Sequence, residues 1–113
     1  MKDCLFCKIL KGEIPSTKIY EDEYVYAFKD IDPQAPFHAI VIPKTHIESA
    51  DEITSENSAA VAKVFEAVAK ISKAENLENG YRVVNNCGKD GGQTVNHMHF
   101  HLLARRNLAW PPG

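Results

Sequence analysis

Three histidines alternate with apolar residues near the end of this chain, at His97, His99 and His101. Alternate side chains of a β-strand share one face, so this spacing predicts three imidazoles in a row, with Met98 and Phe100 directed into the core. A neutral imidazole is a nucleophile, a general base and a metal ligand near pH 7. The pattern therefore predicts a reactive strand face. A chance cluster of polar residues on a solvated strand is the competing interpretation.

A glycine-rich loop comes directly before the histidines, over residues 86–94. Gly88, Gly91 and Gly92 let the backbone adopt positive φ angles and approach a ligand closely. Successive amides in such a loop can form an anion-binding concavity, and the hydroxyl of Thr94 stands beside it. An ordinary long turn is the alternative for the loop alone. Its position next to three aligned imidazoles favours a phosphate site.

A second group of side chains is suited to a metal ion. Cys4 and Cys7 form a Cys-x-x-Cys pair, and His46 and His97 follow far downstream. A Cys-x-x-Cys pair with two later histidines is typical of a closed, tetrahedral zinc site with a structural role. Two free thiols on a short helix, with His46 merely exposed, are the alternative. Cys87 lacks such neighbours and is predicted to fill space in the loop.

The elements that must position these groups follow from hydrophobic periodicity. One long amphipathic helix is predicted from about Ser55 to Glu75, and a short one capped by Asp3 is predicted to end at Lys11. The segment Tyr24 to Phe28 reads as a strand that is apolar on both faces. Strands joined by tight turns, with one long helix as cover, predict a mostly antiparallel α+β fold. The predicted strands are residues 18–21, 23–29, 38–42, 81–85 and 97–103.

Length and composition restrict the class of protein. A chain of 113 residues is predicted to form a single domain over residues 1–113. The net charge of −2, with no run of Lys or Arg, gives no indication of a nucleic-acid partner. No apolar stretch approaches the roughly 20 residues that a bilayer requires, and no signal-peptide pattern is present. The three cysteines suit a reducing compartment, so a cytoplasmic protein is expected.

Several separate motifs in this order resemble the histidine triad superfamily, specifically its Hint-like branch. That family's signature alternates His with apolar residues and ends in two further apolar residues, as residues 97–103 do. The resemblance covers essentially the whole chain and implies an antiparallel sheet of about five strands, one long helix, a short N-terminal helix and a homodimer. The other matching motifs are residues 31–36, 40–44, 90–94 and 110–113.

Members of the branch hydrolyse nucleoside phosphoramidates and related adenylates through a nucleotidyl-histidine intermediate. The resemblance implies that His99 is the nucleophile on the α-phosphorus and that His101 donates to phosphate oxygens. It gives His38 a contributing role and places Thr94, where the family usually has Ser, near the leaving group. The substrate implied is AMP or another purine nucleotide joined to an amine. The residues implied to bind it are Asp30, Ile31, Asp32, Asn86, Gly92, Gln93, Thr94, His99 and His101.

The resemblance also bears on the metal site. Some bacterial Hint-like proteins and the galactose-1-phosphate uridylyltransferases have a zinc site in which the first histidine of the triad is a ligand. This implies that His97 joins Cys4, Cys7 and His46 around a structural zinc ion, with no cofactor required for the chemical step. One departure from the family is visible, because Ala104 and Arg105 stand where many relatives have two glycines.

Three functions from different classes are consistent with these observations. The first is a metal-independent nucleotidyl hydrolase or transferase that uses His99. The second is a zinc hydrolase in which the triad itself holds catalytic zinc and activates water. The third is a nucleotide-binding regulator without turnover. The Cys4 and Cys7 pair disfavours the second function, because it offers zinc ligands away from the phosphate loop, and the complete triad disfavours the third.

Overall fold

The computed structural model describes residues 3–113. Their strands form one antiparallel sheet, which is covered on both faces. The five strands lie in the order β1-β2-β3-β5-β4, so the strand that carries the last histidine is inside the sheet. This confirms the predicted α+β fold. The strands are β1 (Lys18–Glu21), β2 (Val25–Lys29), β3 (Phe37–Pro43), β4 (Tyr81–Asn85) and β5 (Phe100–Ala104).

One face of the sheet is covered by the long helix α2, Ala59–Ala74. Its buried side chains recur at helical spacing, which is the amphipathic pattern that predicted it. They pack on Val41 and Leu102 of the sheet and on Met98 in the segment before β5. Together these residues form one buried core. The buried residues of α2 are Val64, Ala67, Val68 and Ile71.

The opposite face is covered by the short helix α1, Leu5–Leu10. Phe6 of α1 is buried against Phe28 of β2, with ring centroids 5.6 Å apart. Val25 and Ala27 of the same strand point to the other side and join the core beneath α2. The prediction that this strand is apolar on both faces is therefore confirmed, and both faces are buried within the chain.

Several local boundaries differ from the prediction for physical reasons. Cys4 rather than Asp3 caps α1, because its Sγ accepts the backbone N–H of Cys7 at 3.3 Å. Helix α2 begins four residues later than predicted, because residues 54–58 form a turn in which Asn57 accepts from Thr54 N–H. The glycine-rich loop contains a one-turn helix, α3 (Gly88–Gly91), which Gly92 ends at a φ of 78°.

The predicted strand over residues 97–103 is shorter in the structure. Strand β5 begins at Phe100, so His97 and His99 lie in the extended segment before it and only His101 lies within it. The alternation is nevertheless retained, since Met98 and Phe100 belong to the core beneath α2. A backbone hydrogen bond of 2.6 Å from Met98 N–H to the carbonyl of Ile47 holds the segment in place. Among residues 3–113, no helix has the length and apolar character needed to cross a membrane.

Candidate active site and metal centre

Four side chains from three distant parts of the chain converge beneath α1. The Sγ atom of Cys4 lies 3.4 Å from Nδ1 of His97, and the Sγ atom of Cys7 lies 3.3 Å from Nδ1 of His46. The two Nδ1 atoms are 3.2 Å apart, and Cys7 Sγ is 3.6 Å from Nδ1 of His97. We refer to Cys4, Cys7, His46 and His97 as the Cys/His cluster.

The separations within the cluster match those of a tetrahedral zinc site. With Zn–S near 2.3 Å and Zn–N near 2.0–2.1 Å, a tetrahedron places its ligand atoms roughly 3.3–3.8 Å apart. Of the six separations among the four ligand atoms, three are 3.3–3.6 Å and fall in this range, and a fourth, at 3.2 Å, lies just below it. Two thiols and two imidazoles are also the donor set that structural zinc sites use. The predicted ligands therefore come together as a candidate metal centre.

A backbone carbonyl fixes how His97 faces the cluster. Its Nε2 lies 2.9 Å from the carbonyl oxygen of Pro43, which can only accept a hydrogen bond. Nε2 therefore carries the proton in the neutral ring, and the lone pair on Nδ1 points at the thiols. The ring is fully buried, and this burial lowers its pKa, although the bond to Pro43 opposes the effect. His97 is thus a candidate metal ligand that its second nitrogen orients towards the thiols.

The same residue also orients the middle histidine. The carbonyl oxygen of His97 lies 2.7 Å from Nδ1 of His99, so this nitrogen must donate. The neutral ring of His99 then has an unprotonated Nε2. Burial lowers the pKa of His99, against the opposing influence of the hydrogen bond to His97 and of the Asp30 carboxylate. The side chain amide of Asn85 donates to the carbonyl of His99 at 2.8 Å and holds the segment against β4.

The last histidine belongs to a hydrogen-bonded chain with His38. The backbone N–H of Gln34 donates to Nδ1 of His38 at 3.0 Å, which leaves the proton of the neutral ring on Nε2. That Nε2 lies 2.8 Å from Nδ1 of His101 and can donate to it. His101 then carries its own proton on Nε2. The Asp30 carboxylate lies 3.3 Å from His38 and 3.9 Å from His101.

Burial lowers the pKa of both hydrogen-bonded histidines, His38 and His101. For His101, the neighbouring imidazoles of His99 and His38 lower the pKa further, while Asp30 opposes the change. For His38, the carboxylates of Asp30 and Asp32 oppose the effect of burial. Both rings therefore favour the neutral form at pH 7. A neutral His101 with its proton on Nε2 is a hydrogen-bond donor beside the unprotonated Nε2 of His99.

A cleft of about 640 Å³ opens over His99 and His101, and we refer to it as the large cleft. Its walls are mainly apolar, while Asp30, Ile31 and Thr94 lie at its border. This combination of apolar walls and a few polar groups is typical of a small-molecule site. The apolar wall residues are Leu5, Phe6, Ile9, Ile14, Pro15, Phe28, Ile40 and Val95.

The remaining predicted binding residues lie outside the large cleft. Asn86 lines a smaller hollow on the other side of His101. Gln93 braces the glycine-rich loop, because its amide donates to the carbonyls of Glu48 and Val95 and accepts from Gly88 N–H. The backbone N–H of Asp32 donates to the Asp30 carboxylate at 2.7 Å. Gly92 ends the one-turn helix within the loop.

Sequence reasoning missed several contributors to this site. Phe6 contacts His97 and His99 edge-on, with centroids 5.9 and 5.0 Å away, and it forms one wall of the large cleft. Its place between Cys4 and Cys7 was the available signal, since a helix held near the histidines must bring Phe6 with it. The carbonyl of Pro43 and the N–H of Gln34 are backbone groups, for which residue type carries no signal.

Comparisons with known proteins agree with this geometry. The HIT domain family model matches residues 11–108. The 14 kDa zinc-binding protein of Zea mays is 50% identical over 114 residues, covering 96% of this chain and 87% of the relative. The purine nucleoside phosphoramidase of Escherichia coli (strain K12) is 41% identical over 108 residues, covering 95% of this chain and 91% of the relative.

The fold comparison gives the same result. The crystal structure of a HIT family hydrolase from Legionella pneumophila superposes on this chain with a TM-score of 0.95 at 47% identity. The match covers 98% of this chain and 100% of that one. The resemblance inferred from the sequence is therefore confirmed in both sequence and structure. Because the family pattern and the alignments extend over nearly the whole length, this chain belongs to the HIT (histidine triad) family.

Proposed function

We propose that this protein is a hydrolase that cleaves the bond between a nucleoside monophosphate and an amine. The nucleotide is a purine nucleotide such as AMP, and the reaction passes through a covalent nucleotidyl-His99 intermediate. The observation that carries the proposal is the hydrogen bond of 2.7 Å between His99 Nδ1 and the carbonyl of His97. It leaves Nε2 unprotonated on His99, a residue that lines the large cleft. The 41% identity to a purine nucleoside phosphoramidase supports the choice of substrate class.

In the first step, Nε2 of His99 attacks the α-phosphorus in line with the leaving nitrogen. A bond forms between Nε2 and phosphorus while the phosphorus–nitrogen bond of the substrate breaks. The electron pair of that bond goes to the amine nitrogen, which takes up a proton from solvent water as it departs. The Thr94 hydroxyl at the edge of the cleft donates a hydrogen bond to this nitrogen.

In the second step, water attacks the phosphorus of the nucleotidyl-histidine. The bond from phosphorus to Nε2 breaks, its electron pair returns to His99, and the nucleoside monophosphate leaves with the hydroxyl group of the attacking water, whose other proton passes to solvent. His101 donates from Nε2 to the phosphate oxygens in both steps, because His38 directs a proton at its other nitrogen. Donors that are already in place stabilise the charge that develops on the phosphoryl group.

The nucleoside is proposed to occupy the apolar part of the large cleft. A purine would pack between Phe6 and Phe28 on one side and Ile31 at the mouth, where Ile31 is fully exposed. The Asp30 carboxylate would accept hydrogen bonds from the ribose hydroxyls, with Asp32 beside it. Phosphate contacts from the loop would come from Asn86, Gly92 and Gln93, as the family resemblance implies.

The Cys/His cluster is proposed to hold a structural zinc ion. The ion would link α1, the loop after β3 and the segment before β5. Because α1 provides Phe6 and other walls of the large cleft, this linkage would shape the cleft. The ion supplies stability at that position, and the two chemical steps use only the histidines and Thr94.

Two other functions are tested by the same experiment. A catalytic zinc on the triad would make hydrolysis depend on metal at the phosphate position. The Cys/His cluster lies to one side of the large cleft, and Asp30, His38 and His101 are a second group of potential metal ligands at that position. A regulator without turnover would bind purine nucleotides and leave phosphoramidates intact. The hydrogen bond between His38 and His101 supports turnover, because it leaves the proton of His101 on the nitrogen that faces the phosphate position.

The decisive experiment is incubation of the purified protein with a fluorogenic adenosine 5′-phosphoramidate. We expect release of the fluorescent amine with formation of AMP. Binding of the compound without turnover would support the regulator instead. In a parallel sample, metal is removed while the fold is monitored by circular dichroism. Activity that disappears while the fold is unchanged, and returns with zinc, would support the zinc hydrolase.

A further inference from the structure

The strand pairing beside the proposed nucleophile stops one residue short of it. Strands β4 and β5 pair antiparallel from Tyr81↔Ala104 to Asn85↔Phe100. The pairing of β5 with β3 also extends only as far as Phe100. His99 lies just beyond, in the extended segment that precedes β5. Its backbone is therefore outside both ladders, and its position depends on the individual contacts that this segment makes.

Three hydrogen bonds hold this segment. The backbone N–H of Met98 donates to the carbonyl of Ile47 at 2.6 Å. The Nδ1 of His99 donates to the carbonyl of His97 at 2.7 Å. The third bond, of 2.8 Å, runs from the side-chain amide of Asn85 to the carbonyl of His99. The first two fix the peptide group between His97 and Met98, and the third fixes the peptide group that follows His99.

Asn85 reaches His99 from the face of the sheet opposite the large cleft. Its partner in the ladder, Phe100, is buried in the core beneath α2. Directly paired residues of antiparallel strands project from the same face, so Asn85 is directed towards α2 as well. It is half-buried and does not line the large cleft. The amide is therefore placed to act on the backbone of His99 rather than on a substrate.

Resting on the proposed function, we infer that Asn85 is a positioning residue that keeps the imidazole of His99 in line with the scissile bond. In-line attack needs the reacting atoms about 3–3.5 Å apart with their orbitals aligned, and an error of about 1 Å can cost about 100-fold in rate. The bond from His99 to the carbonyl of His97 depends on the same backbone torsions, so a shift of the segment also loosens the tautomer. A neutral amide supplies the donor without adding charge beside the buried ring.

The first test removes the donor and separates binding from chemistry. Asn85→Ala should lower kcat for a fluorogenic adenosine 5′-phosphoramidate by about tenfold, because the attacking nitrogen is no longer held in place. The KM should stay within about twofold, since the proposed nucleoside contacts come from the large cleft. Val83→Ala is the matched control, because Val83 is on the same strand and face, packs against the core beneath α2 and does not bond His99. The control should lower the melting temperature and leave kcat near native.

The second test uses a side chain that donates only when it is protonated. In Asn85→Asp the ionised carboxylate has no proton for the carbonyl of His99, whereas the carboxylic acid can donate one hydrogen bond. We expect the kcat of Asn85→Asp, divided by that of Asn85→Ala at the same pH, to rise several-fold as the pH falls from about 8 to about 5. The division removes the titration of the histidines, which both variants share. Circular dichroism at each pH confirms that the measured protein is folded.

A third measurement does not depend on turnover. Long-range proton–nitrogen NMR of the imidazoles should show His99 protonated on Nδ1 in the unmodified protein. In Asn85→Ala it should show a mixture of both tautomers, because the bond to His97 is loosened. Val83→Ala should retain the tautomer of the unmodified protein.

Each outcome bears on a distinct claim. An unchanged kcat in Asn85→Ala, or an equal fall in Val83→Ala, would overturn the positioning role while leaving the proposed hydrolysis intact. A KM that rises while kcat is unchanged would assign Asn85 to substrate binding instead. A ratio of Asn85→Asp to Asn85→Ala that is constant with pH would overturn the role of the donor. If the unmodified protein hydrolyses no phosphoramidate, the proposed function fails, and an unchanged tautomer in Asn85→Ala would then overturn the positioning of His99 as well.

Discussion

At the scale of single residues, two backbone carbonyls determine what the histidines can do. The carbonyl of Pro43 takes the Nε2 proton of His97, and the carbonyl of His97 takes the Nδ1 proton of His99. The first contact directs a lone pair at the thiols, and the second directs a lone pair into the large cleft. Neighbouring histidines with the same side chain therefore face different chemistry, because each ring presents a different nitrogen.

The residue-scale prediction concerns the nucleophile. Replacing His99 by Ala should reduce kcat by several orders of magnitude, because the covalent intermediate can no longer form. Nucleotide binding should change little, since the proposed nucleoside contacts come from Asp30 and the other walls of the large cleft. His101→Ala should slow the reaction less, because it removes a donor rather than the attacking atom.

Mass spectrometry locates the intermediate directly. Acid-quenched protein taken during turnover should carry a nucleotidyl adduct on His99. An adduct on His97 or His101, or near-native turnover by His99→Ala, would contradict the assignment. Thermal unfolding of each variant serves as the control, since His99 is only 3% exposed and its replacement leaves a buried gap.

At the scale of elements, the Cys/His cluster links segments that are distant in the sequence. The β1–β2 hairpin links two consecutive strands. The cluster joins a six-residue helix to loops far along the chain. Helices this short are unstable alone, so α1 depends on its contacts with the sheet and on the cluster. The hairpin is organised by Asp22, whose carboxylate accepts from Tyr20, Tyr24 and Val25.

The prediction for the cluster is about one zinc per chain. The double variant Cys4→Ser, Cys7→Ser should lose the metal and unfold at a lower temperature, because the link between α1 and the sheet is lost. Serine is a good N-cap, so the capping of α1 by residue 4 is largely retained. Cys87→Ser is the matched control, as Cys87 is exposed and outside the cluster. Zinc content that is undiminished in the double variant would contradict the assignment of the two cysteines as zinc ligands.

The prediction for the hairpin is a loss of stability in Asp22→Ala. Burial raises the pKa of Asp22, but the hydrogen bonds from Tyr20, Tyr24 and Val25 outweigh it and the pKa is lowered overall. Removing the carboxylate should lower the free energy of unfolding by about 2 kcal/mol, since several donors lose their acceptor. Urea denaturation at pH 7 measures this, with the exposed neighbour in Glu23→Ala as control. Equal stability of the two variants would contradict the role of Asp22.

A second hairpin prediction concerns alkaline pH. The hydrogen bond to Asp22, together with burial and nearby negative charge, raises the pKa of Tyr20 to about 12. Since the pKa of an unfolded tyrosine is about 10, its contribution is complete below pH ~10 and is lost as the pH rises towards 12. Tyr20→Phe should therefore flatten the stability profile over that window. Tyr24→Phe, at an exposed position, should leave the profile unchanged, and a similar flattening there would refute the explanation.

At the scale of the whole molecule, the chain leaves one edge strand and several large apolar side chains exposed. Strand β4 is an edge strand, and Tyr81 at its start is 44% exposed. Phe65 on α2 is 47% exposed and Trp110 in the tail is 80% exposed. Large exposed apolar side chains together with an edge strand are typical of an interaction surface. Since β2 is buried on both faces within the chain, it does not contribute to such a surface.

The corresponding prediction is a homodimer with a two-fold interface. Light scattering at micromolar concentration should give twice the chain mass, and the mass of a single chain would refute the prediction. Deleting residues 107–113 should alter activity or specificity, because Leu108 and Pro112 line a hollow that His101 also lines. The truncated protein should remain dimeric. A truncated protein with unchanged kinetics would show that the tail does not border the site.

The sequence by itself determined the elements and the identity of the reactive groups. Alternation over residues 97–103 indicated the apolar and histidine faces even though β5 begins only at Phe100, because side-chain direction needs only local extended backbone. Helical spacing likewise identified the buried face of α2. The Cys-x-x-Cys pair indicated a zinc site, because the spacing within this pair is a local signal.

Only the tertiary structure decided how these groups are used. Cys4 and His97 are 93 positions apart, and His38 and His101 are 63 apart, so no local pattern shows that they touch. The tautomers depend on backbone carbonyls and amides, which every residue type presents alike. The hollow that His38 and His101 border forms only where β4, β5 and the C-terminal tail meet, so its lining residues come from distant parts of the sequence. Local periodicity encodes elements, whereas chemistry at this site depends on contacts that only the folded sheet creates.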